Sequence, residues 1–418
     1  MNFLIVKQIE KRKESSRLWL KIGLVLNLSL IVVFKYLDFI LDNIKWLGGV
    51  FSNEFKELPL TKIILPLGIS FFTFQQMSLL WDVYRDKSIS KVTFPNVALY
   101  VSLFPQLIAG PIVRYNDILA QINERKESLV LFKSGIKRFI IGLFKKVLIA
   151  NTCGELADVI FSSEFNSLGI DAAWLGAFAY SLQIYFDFSG YSDMAIGLGR
   201  MFGFKIFENF NLPYISKSIQ EFWRRWHISL STWFKDYVYI PLGGNRLGAS
   251  RTYINLLIVF VLTGFWHGAN WGFLAWGLFH GIFLVAERAG FGLILKKIPA
   301  VLSWLYTMFV VVIGWVLFKL EDLNDALAFF KRLFNFGASH ELSSISLYLN
   351  SERILIIILA IIWSSPLFRI LKKVLDKTSV SSHFIYKLLG DSILLIMLIL
   401  SVVYINSGSY NPFIYFRF

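Results

Sequence analysis

Long uncharged stretches alternate with short basic segments along the chain. Four stretches reach the roughly 17–25 residues that a helix needs to cross a bilayer, and three shorter or interrupted ones are further candidates. The long stretches are residues 63–81, 92–113, 298–318 and 392–416, and the others are 22–34, 172–186 and 354–368. With the run described next, this pattern predicts about eight to ten membrane segments.

The longest uncharged run, residues 252–286, contains no Asp, Glu, Lys or Arg. As one helix it would extend for roughly 50 Å, whereas the hydrocarbon core of a bilayer is about 30 Å thick. We therefore expect the run to break, tilt or re-enter the membrane. Gly264, Gly268 and Gly272 are the candidate break points.

Two further segments are amphipathic and are predicted to lie in the membrane interface. Residues 132–149 interleave five basic residues with Phe, Ile, Leu and Val, a pattern in which lysines extend towards the headgroups. Residues 218–237 begin with Ser218 and Glu221 at capping-box spacing and continue with aromatic residues at helical spacing. Pro241 marks the end of this second helix.

Composition supports an integral membrane protein. Hydrophobic residues make up 56% of the chain and charged residues 17%, with a mean hydropathy of +0.59, whereas soluble domains carry about 25% charged residues. No polar stretch is long enough for a soluble domain. We therefore predict an all-α, polytopic protein with one membrane domain over residues 1–418.

The net charge of +14 is carried by basic residues in short loops between apolar runs. The positive-inside rule explains this distribution better than a nucleic-acid partner, which we do not expect. The N-terminal stretch 7–21 and the loop 200–251 are accordingly predicted to be cytoplasmic. The single cysteine, Cys153, excludes an intramolecular disulfide.

The segment 263–271 (Thr-Gly-Phe-Trp-His-Gly-Ala-Asn-Trp) places an ionisable imidazole, His267, inside the uncharged run. A titratable group at membrane depth is costly and usually faces a protein interior or a water-filled cavity. His267 is therefore a candidate functional residue, although a membrane histidine can also join two helices by a structural hydrogen bond. We assign His280, His340 and His383 structural or solvent-facing roles.

A second histidine, His227, lies in the segment 221–229 (Glu-Phe-Trp-Arg-Arg-Trp-His-Ile-Ser). On a helix, Arg224 and Ser231 would share a face with His227, and that face could hold an anionic group beside a titratable one. The alternative is that the Arg and Trp side chains simply anchor an interfacial helix.

Residues 185–193 (Tyr-Phe-Asp-Phe-Ser-Gly-Tyr-Ser-Asp) place two carboxylates and four hydroxyl groups directly after an apolar segment. Buried carboxylates need partners, and Arg224 or Arg225 could supply them to Asp187 and Asp193. The alternative is that these polar side chains cap the end of a helix.

Residues 104–114 (Phe-Pro-Gln-Leu-Ile-Ala-Gly-Pro-Ile-Val-Arg) contain two prolines and a glycine. Irregular backbone at membrane depth is tolerated only against protein or a wet cavity, so this segment is predicted to line a passage.

Motifs of several other chemistries do not occur in the sequence. There is no His-x-Glu, Cys-x-x-Cys or His-Glu-x-x-His metal motif and no phosphate-binding P-loop, and no Gly-x-Ser-x-Gly nucleophile elbow. We expect no metal. One or two histidines in a membrane cavity remain, and they suit proton transfer in an acyl exchange.

Taken together, these motifs resemble the membrane-bound O-acyltransferase superfamily, in particular the bacterial branch with the membrane subunit of alginate O-acetylation and its peptidoglycan relatives. The likeness runs through nearly the whole chain, in residues 65–75, 104–112, 185–193, 222–233, 264–268 and 413–416. Members of this branch usually have one or two more membrane segments before the stretch resembling residues 34–37. The chain is therefore expected to be a short variant or to start from a downstream methionine.

The resemblance implies a bundle of membrane, interfacial and re-entrant helices around a central cavity. It implies transfer of an acetyl or other acyl group from a cytosolic thioester, such as acetyl-CoA, for O-acetylation of an extracytoplasmic polysaccharide such as alginate or peptidoglycan. It further implies a bacterial inner-membrane location in contact with lipid, no bound cofactor, and a periplasmic acetyltransferase partner that completes the transfer.

The family's near-invariant histidine corresponds to His267 and a second, family-typical histidine to His227, so both are assigned catalytic roles. His267 would lie at the narrow point of the cavity, as a general base or as an acyl carrier. His227 and Arg224 would lie at the cytoplasmic mouth and guide the donor. The predicted donor-binding set is completed by Asp187, Ser189, Asp193, Trp266 and Asn270.

Three other functions stay open at this point. A D-alanyl exporter serving teichoic acids would share the fold but take its donor from a small carrier protein. A transporter or channel for acetate or another small solute would use no acetyl-CoA. A eukaryote-type lipid or protein acyltransferase of the same superfamily is the third alternative.

Overall fold

The computed structural model describes residues 1–12, 14–52, 60–61, 63–86, 92–108, 110–335, 345–367, 370, 380–408 and 410–412. Every regular element in these ranges is a helix, which confirms the predicted all-α class. The terminal motif at 413–416, Ala109 and His340 lie outside the described residues.

The helices, in chain order, are α1 (Asn2–Lys11), α2 (Ser16–Ile31), α3 (Leu37–Gly48), α4 (Ile69–Arg85), α5 (Phe94–Ser102), α6 (Phe104–Leu107), α7 (Tyr115–Glu124), α8 (Leu129–Phe144), α9 (Asn151–Phe161), α10 (Ile170–Met201), α11 (Ile219–Arg225), α12 (Ile228–Phe234), α13 (Ala249–His267), α14 (Trp271–Ala286), α15 (Gly292–Lys297), α16 (Ala300–Lys319), α17 (Leu323–Leu333), α18 (Ser351–Ser364) and α19 (Val380–Asn406). Single π-helical turns follow four of them, at Val32–Tyr36, Lys145–Ala150, Lys235–Tyr239 and Glu287–Phe291.

Five helical segments in the described ranges are long and apolar enough to cross a bilayer. They are Ser16–Gly48, Ala249–His267, Trp271–Lys297, Ala300–Lys319 and Leu388–Asn406. The chain is therefore a multi-pass membrane protein, as predicted. The larger number of membrane segments, the central cavity and the single domain over 1–418 remain predictions.

The uncharged stretch 92–113 does not form one crossing helix, contrary to its place among the predicted spans. α5 ends at Ser102, and Leu103 has extended backbone angles (φ −64°, ψ 100°) before the short α6 begins. Pro105 explains the break, because a proline has no N–H to continue the ladder of α5. The irregular backbone expected around the prolines is present.

A 32-residue helix, α10, packs along α8 through pairs of glycines. A Cβ at Gly142 would lie 2.5 Å from the carbonyl oxygen of Gly190, so the two backbones are in direct contact. The prediction of an interfacial helix over residues 132–149 is wrong in one respect, since Lys146 is buried and its Nζ lies 2.6 Å from the Asp187 carboxylate. The basic residues at the end of this helix therefore pair with carboxylates of α10 rather than with headgroups.

The uncharged run 252–286 breaks once, as the length argument predicted. Residues 268–270 separate α13 from α14, and Gly268 has an extended backbone (φ −165°, ψ 155°). The other two candidate break points, Gly264 and Gly272, lie inside the helices. The break places His267 at the last position of α13.

Glycines also set the contact between α13 and α14, which run antiparallel. A Cβ at Gly264 would lie 2.2 Å from the carbonyl oxygen of Phe273, and one at Gly277 would lie 2.3 Å from that of Phe260. Such close approach of two backbones is possible only without side chains at these positions. The hairpin therefore holds His267 on a tightly packed support.

The predicted single helix over residues 218–237 is wrong. It consists of α11 and α12, separated by Trp226 with an extended backbone and His227 with a left-handed one (φ 43°, ψ 54°). Only its start is as expected, because the Ser218 Oγ accepts from the Glu221 N–H at 3.0 Å.

Backbone hydrogen bonds from a neighbouring segment explain the break. The Asn211 N–H donates to the Arg225 carbonyl at 2.9 Å, and the Ile228 N–H donates to the Asn209 carbonyl at 2.9 Å. These partners satisfy the backbone groups that a continuous helix would have paired internally. The aromatic periodicity of residues 218–237 could not predict this break, because the hydrogen bonds that stabilise it come from a different segment of the chain.

We predict that Gly264→Ala separates α13 from α14 and lowers the thermal denaturation midpoint of the protein in detergent. The added Cβ meets backbone, which cannot rotate away, and overpacking of this kind costs about 1–3 kcal/mol or more. Gly390→Ala is the matched control, since Gly390 lies in α19 and an added Cβ there would meet no atom of the described residues within 4 Å. An unchanged midpoint for Gly264→Ala would contradict the close contact.

Candidate active site

His267 lies at the turn between α13 and α14, enclosed by aromatic rings. Its side chain is 4% exposed. The imidazole centroid is 4.9 Å from the ring of Trp266, 5.1 Å from that of Trp276 and 5.1 Å from that of Phe318, all with edge-to-face geometry. The histidine predicted to be functional therefore lies inside the protein rather than against lipid.

The end of α13 is held by the first membrane segment. The last carbonyls of a helix have no partner within it, and here Lys35 Nζ donates to the carbonyl oxygens of Trp266 at 2.6 Å and His267 at 3.2 Å. The Ser70 Oγ lies 3.2 Å from the same nitrogen. Lys35 thus has three oxygen acceptors, as many as an ammonium group can donate to.

Tyr36 completes this contact. Its hydroxyl donates to the carbonyl oxygen of Phe265, and its ring stacks on that of Phe265 with centroids 4.0 Å apart. Two consecutive residues of one helix therefore bond three consecutive carbonyls at the end of another. The backbone of His267 is fixed relative to the first membrane segment.

His227 is held by a network of polar side chains. Its Nδ1 lies 3.2 Å from the Asn209 Oδ1, which also accepts from the Ser229 N–H at 3.1 Å and the Ser229 Oγ at 2.9 Å. The Asn209 Nδ2 donates to the Ser192 Oγ at 3.2 Å. Because a backbone N–H can only donate, the Asn209 oxygen must be the acceptor in this cluster.

This network assigns the tautomer of His227. An oxygen acceptor opposite Nδ1 requires the proton on Nδ1, which leaves the lone pair on Nε2. Burial lowers the pKa of the His227 imidazole to about 3, so the ring is neutral at pH 7. Its Nε2 is buried and has no hydrogen-bond partner among the residues that the structure describes. His227 therefore presents a fixed, unpaired acceptor.

Trp266 connects the two histidines. Its ring centroid is 6.2 Å from that of His227 and 4.9 Å from that of His267. The indole N–H is buried and finds no acceptor among the described side chains or backbone. The structure thus brings His227 and His267 to the same indole ring, that of Trp266.

The carboxylates of the 185–193 segment have partners other than those expected. Asp187 pairs with Lys146 at 2.6 Å, and Asp193 pairs with Arg138 at 2.5 Å and Lys145 at 2.7 Å. The prediction that Arg224 or Arg225 supplies these partners is wrong. The cations come from α8 and the π turn after it, because the glycine contacts bring those elements against α10.

The remaining predicted site residues are dispersed. The Arg224 side chain is exposed and shares no helix face with His227, because the chain turns between them. Asn270 caps α14, where its Oδ1 accepts from the Phe273 N–H at 2.9 Å. The Ser189 Oγ is buried without a hydrogen-bond partner in the described part of the chain.

Lys35 and Asn209 were not identified from the sequence as residues of the candidate site. The signal for Lys35 is present in the sequence, since it is a basic residue inside the membrane segment Ser16–Gly48, and such residues mark functional sites. Asn209 gives no comparable signal, because it lies in a polar loop.

Among the described residues, no group of three or more His, Cys, Asp or Glu is arranged to hold a metal ion.

The model of the membrane-bound O-acyltransferase family matches residues 85–324. A Pseudomonas aeruginosa protein named "Probable alginate O-acetylase AlgI" is 47% identical over 78% of this chain, which covers 62% of that relative, less than two thirds of its length. The peptidoglycan O-acetyltransferase of Helicobacter pylori is 37% identical over 100% of this chain and 86% of its own length. More distant is the teichoic acid D-alanyltransferase of Streptococcus thermophilus, 32% identical over 53% of this chain and 57% of its own.

We predict that Lys35→Met destabilises the protein, because it leaves the carbonyls of Trp266 and His267 without donors inside the bundle. A buried group left unsatisfied costs about 1–3 kcal/mol, which a lower denaturation midpoint in detergent would report. Lys21→Met is the matched control, since Lys21 is exposed on the same membrane segment. Equal midpoints for the two variants would contradict a capping role for Lys35.

Proposed function

The chain belongs to the membrane-bound O-acyltransferase family, and we propose that it transfers an acetyl group from a thioester donor for O-acetylation of an extracytoplasmic polysaccharide. The observation that carries this proposal is the pair of buried imidazoles, His227 and His267, at one tryptophan ring. The named activities of the alginate and peptidoglycan relatives support acetyl as the acyl group.

His267 is proposed as the general base. The acceptor hydroxyl oxygen attacks the thioester carbonyl carbon while the imidazole takes the hydroxyl proton. The carbon–sulfur bond then breaks, and the departing thiolate receives that proton from the imidazolium. The aromatic enclosure of His267 supports this role, because it limits the access of water that would hydrolyse the thioester.

His227 and Trp266 are proposed to position the reacting groups. The Nε2 of His227 can accept a hydrogen bond from the hydroxyl or from an amide of the donor, since the proton on Nδ1 is held by Asn209. The Trp266 N–H is a buried, unpaired donor, and it could stabilise the negative charge that develops on the thioester oxygen. Both groups point to a polar ligand in an otherwise aromatic space.

The donor, location and partner belong to the same proposal. We propose acetyl-CoA as the donor and the inner membrane of a bacterium as the location, with the basic loop 200–251 on the cytoplasmic side. A separate periplasmic acetyltransferase would complete transfer to the polysaccharide. No cofactor needs to remain bound, because the thioester is consumed as a substrate.

We predict that His267→Gln lowers the rate of acetyl transfer from radiolabelled acetyl-CoA by about 10²–10⁴-fold, the contribution typical of general acid–base catalysis. His280→Gln is the matched control, since His280 is also buried, lies on α14 and takes no part in the proposed chemistry. Activity of His267→Gln within a few-fold of wild type, at equal expression, would refute the base role. If the radiolabelled acetyl group is recovered on wild-type protein but not on His267→Gln, His267 acts as an acyl carrier rather than as a general base.

His227 offers a test that separates chemistry from backbone strain. Its left-handed backbone (φ 43°) is tolerated by asparagine and disfavoured for alanine. We predict that His227→Asn keeps a near wild-type denaturation midpoint and loses most acetyl transfer, whereas His227→Ala loses both. The proposal for His227 fails if the asparagine variant remains fully active.

A further inference from the structure

Two cavities adjoin near the start of α11. One is a polar pocket of about 640 Å³ between the start of α11 and the segment from Glu287 to Ser303. The other is an apolar groove, also of about 640 Å³, between α10, α16 and α18. Lys217 and Ala300 line both cavities, so they adjoin, and neither is lined by His227 or His267.

We propose that these cavities together bind one molecule of an anionic glycerophospholipid, with its phosphate in the polar pocket and an acyl chain in the groove. This site is independent of the acetyl-transfer proposal, because it shares no residue with it. The occupant is identified by the charge of the pocket, the apolar lining of the groove and their common position at the end of two membrane segments.

The polar pocket carries unpaired positive charge. The side chains of Lys217, Arg288 and Lys296 line it and are exposed, and none forms an ion pair with a described residue. The two acidic residues of the pocket have partners of their own. The Glu287 carboxylate accepts from the Ile219 and Gln220 N–H groups at 2.6 and 2.9 Å. The Glu221 carboxylate pairs with Arg225 at 2.8 Å. A phosphate group would complement the three free cations.

The position of the pocket is that of a lipid headgroup. It lies where the segment Trp271–Lys297 ends and the next, Ala300–Lys319, begins. The helix widens into a π turn there, and Gly290 has a left-handed backbone (φ 141°) that turns the chain around the pocket. Basic residues at the ends of membrane helices commonly bind anionic headgroups.

The groove has the lining that an acyl chain needs. Its walls include Phe178, Met308 and Val312, and it follows α16 from Ala300 for about 18 Å. Trp304 forms part of the wall and is fixed there by a 2.8 Å hydrogen bond from its Nε1 to the Tyr214 carbonyl. Val301 and Ile361 are 64% and 48% exposed, so the groove opens towards the lipid phase.

The test measures lipid binding to the full-length protein after delipidation in detergent, by native mass spectrometry and by thermal shift. We expect phosphatidylglycerol to bind and stabilise more than phosphatidylcholine. The triple variant K217Q/R288Q/K296Q should bind phosphatidylglycerol roughly 100-fold more weakly, because each cation at an anionic lipid contributes a factor of roughly five. R246Q/R251Q removes two exposed cations elsewhere and should leave binding unchanged.

A second pair of variants tests the groove by placing a bulky side chain in it. V301W should weaken binding of both lipids, whereas V25W, at an equally exposed position of the first membrane segment (64%), should not. The proposal is overturned if the triple variant keeps the preference for phosphatidylglycerol, or if V301W binds lipid like V25W. It is also overturned if inorganic phosphate stabilises wild type as strongly as the lipid, since the pocket would then hold a soluble phosphate.

Discussion

The carbonyl groups at the end of α13 need hydrogen-bond donors inside the bundle, and the placement of His267 depends on how they are supplied. Water cannot serve groups buried among packed helices, so each must find a protein partner. Lys35 and Tyr36 provide these donors from the first membrane segment. The histidine at the helix end is thereby fixed by an element more than 230 residues away in the chain.

The same requirement shapes the surroundings of His227. Its left-handed backbone interrupts a helix, and the freed groups of Arg225 and Ile228 bond to the segment that contains Asn209. The Asn209 side chain then fixes the imidazole tautomer. One short segment thus stabilises the break and fixes the proton on Nδ1, so the backbone conformation and the tautomer of His227 share a cause.

The sequence predicted those features that depend on local length and composition, and missed those that depend on contacts between distant segments. The break at Gly268 followed from the length of an uncharged run, and the burial of His267 inside the protein from the cost of an imidazole at membrane depth. The partners of Asp187 and Asp193 could not be predicted, because they depend on which helix packs on α10 through glycines. The break at His227 could not be predicted for a similar reason, because the aromatic residues keep their helical spacing on both sides of it.

The element α11 links the proposed lipid pocket to the candidate active site. Its first two N–H groups are held by the Glu287 carboxylate at the pocket, and two residues after its last residue the chain reaches His227. α14 joins the same places along a second route, from the turn beside His267 to Glu287, over roughly 24 Å of helix. Both connections are helical over most of their length, so the same two elements, α11 and α14, set the positions of the pocket and of the two histidines.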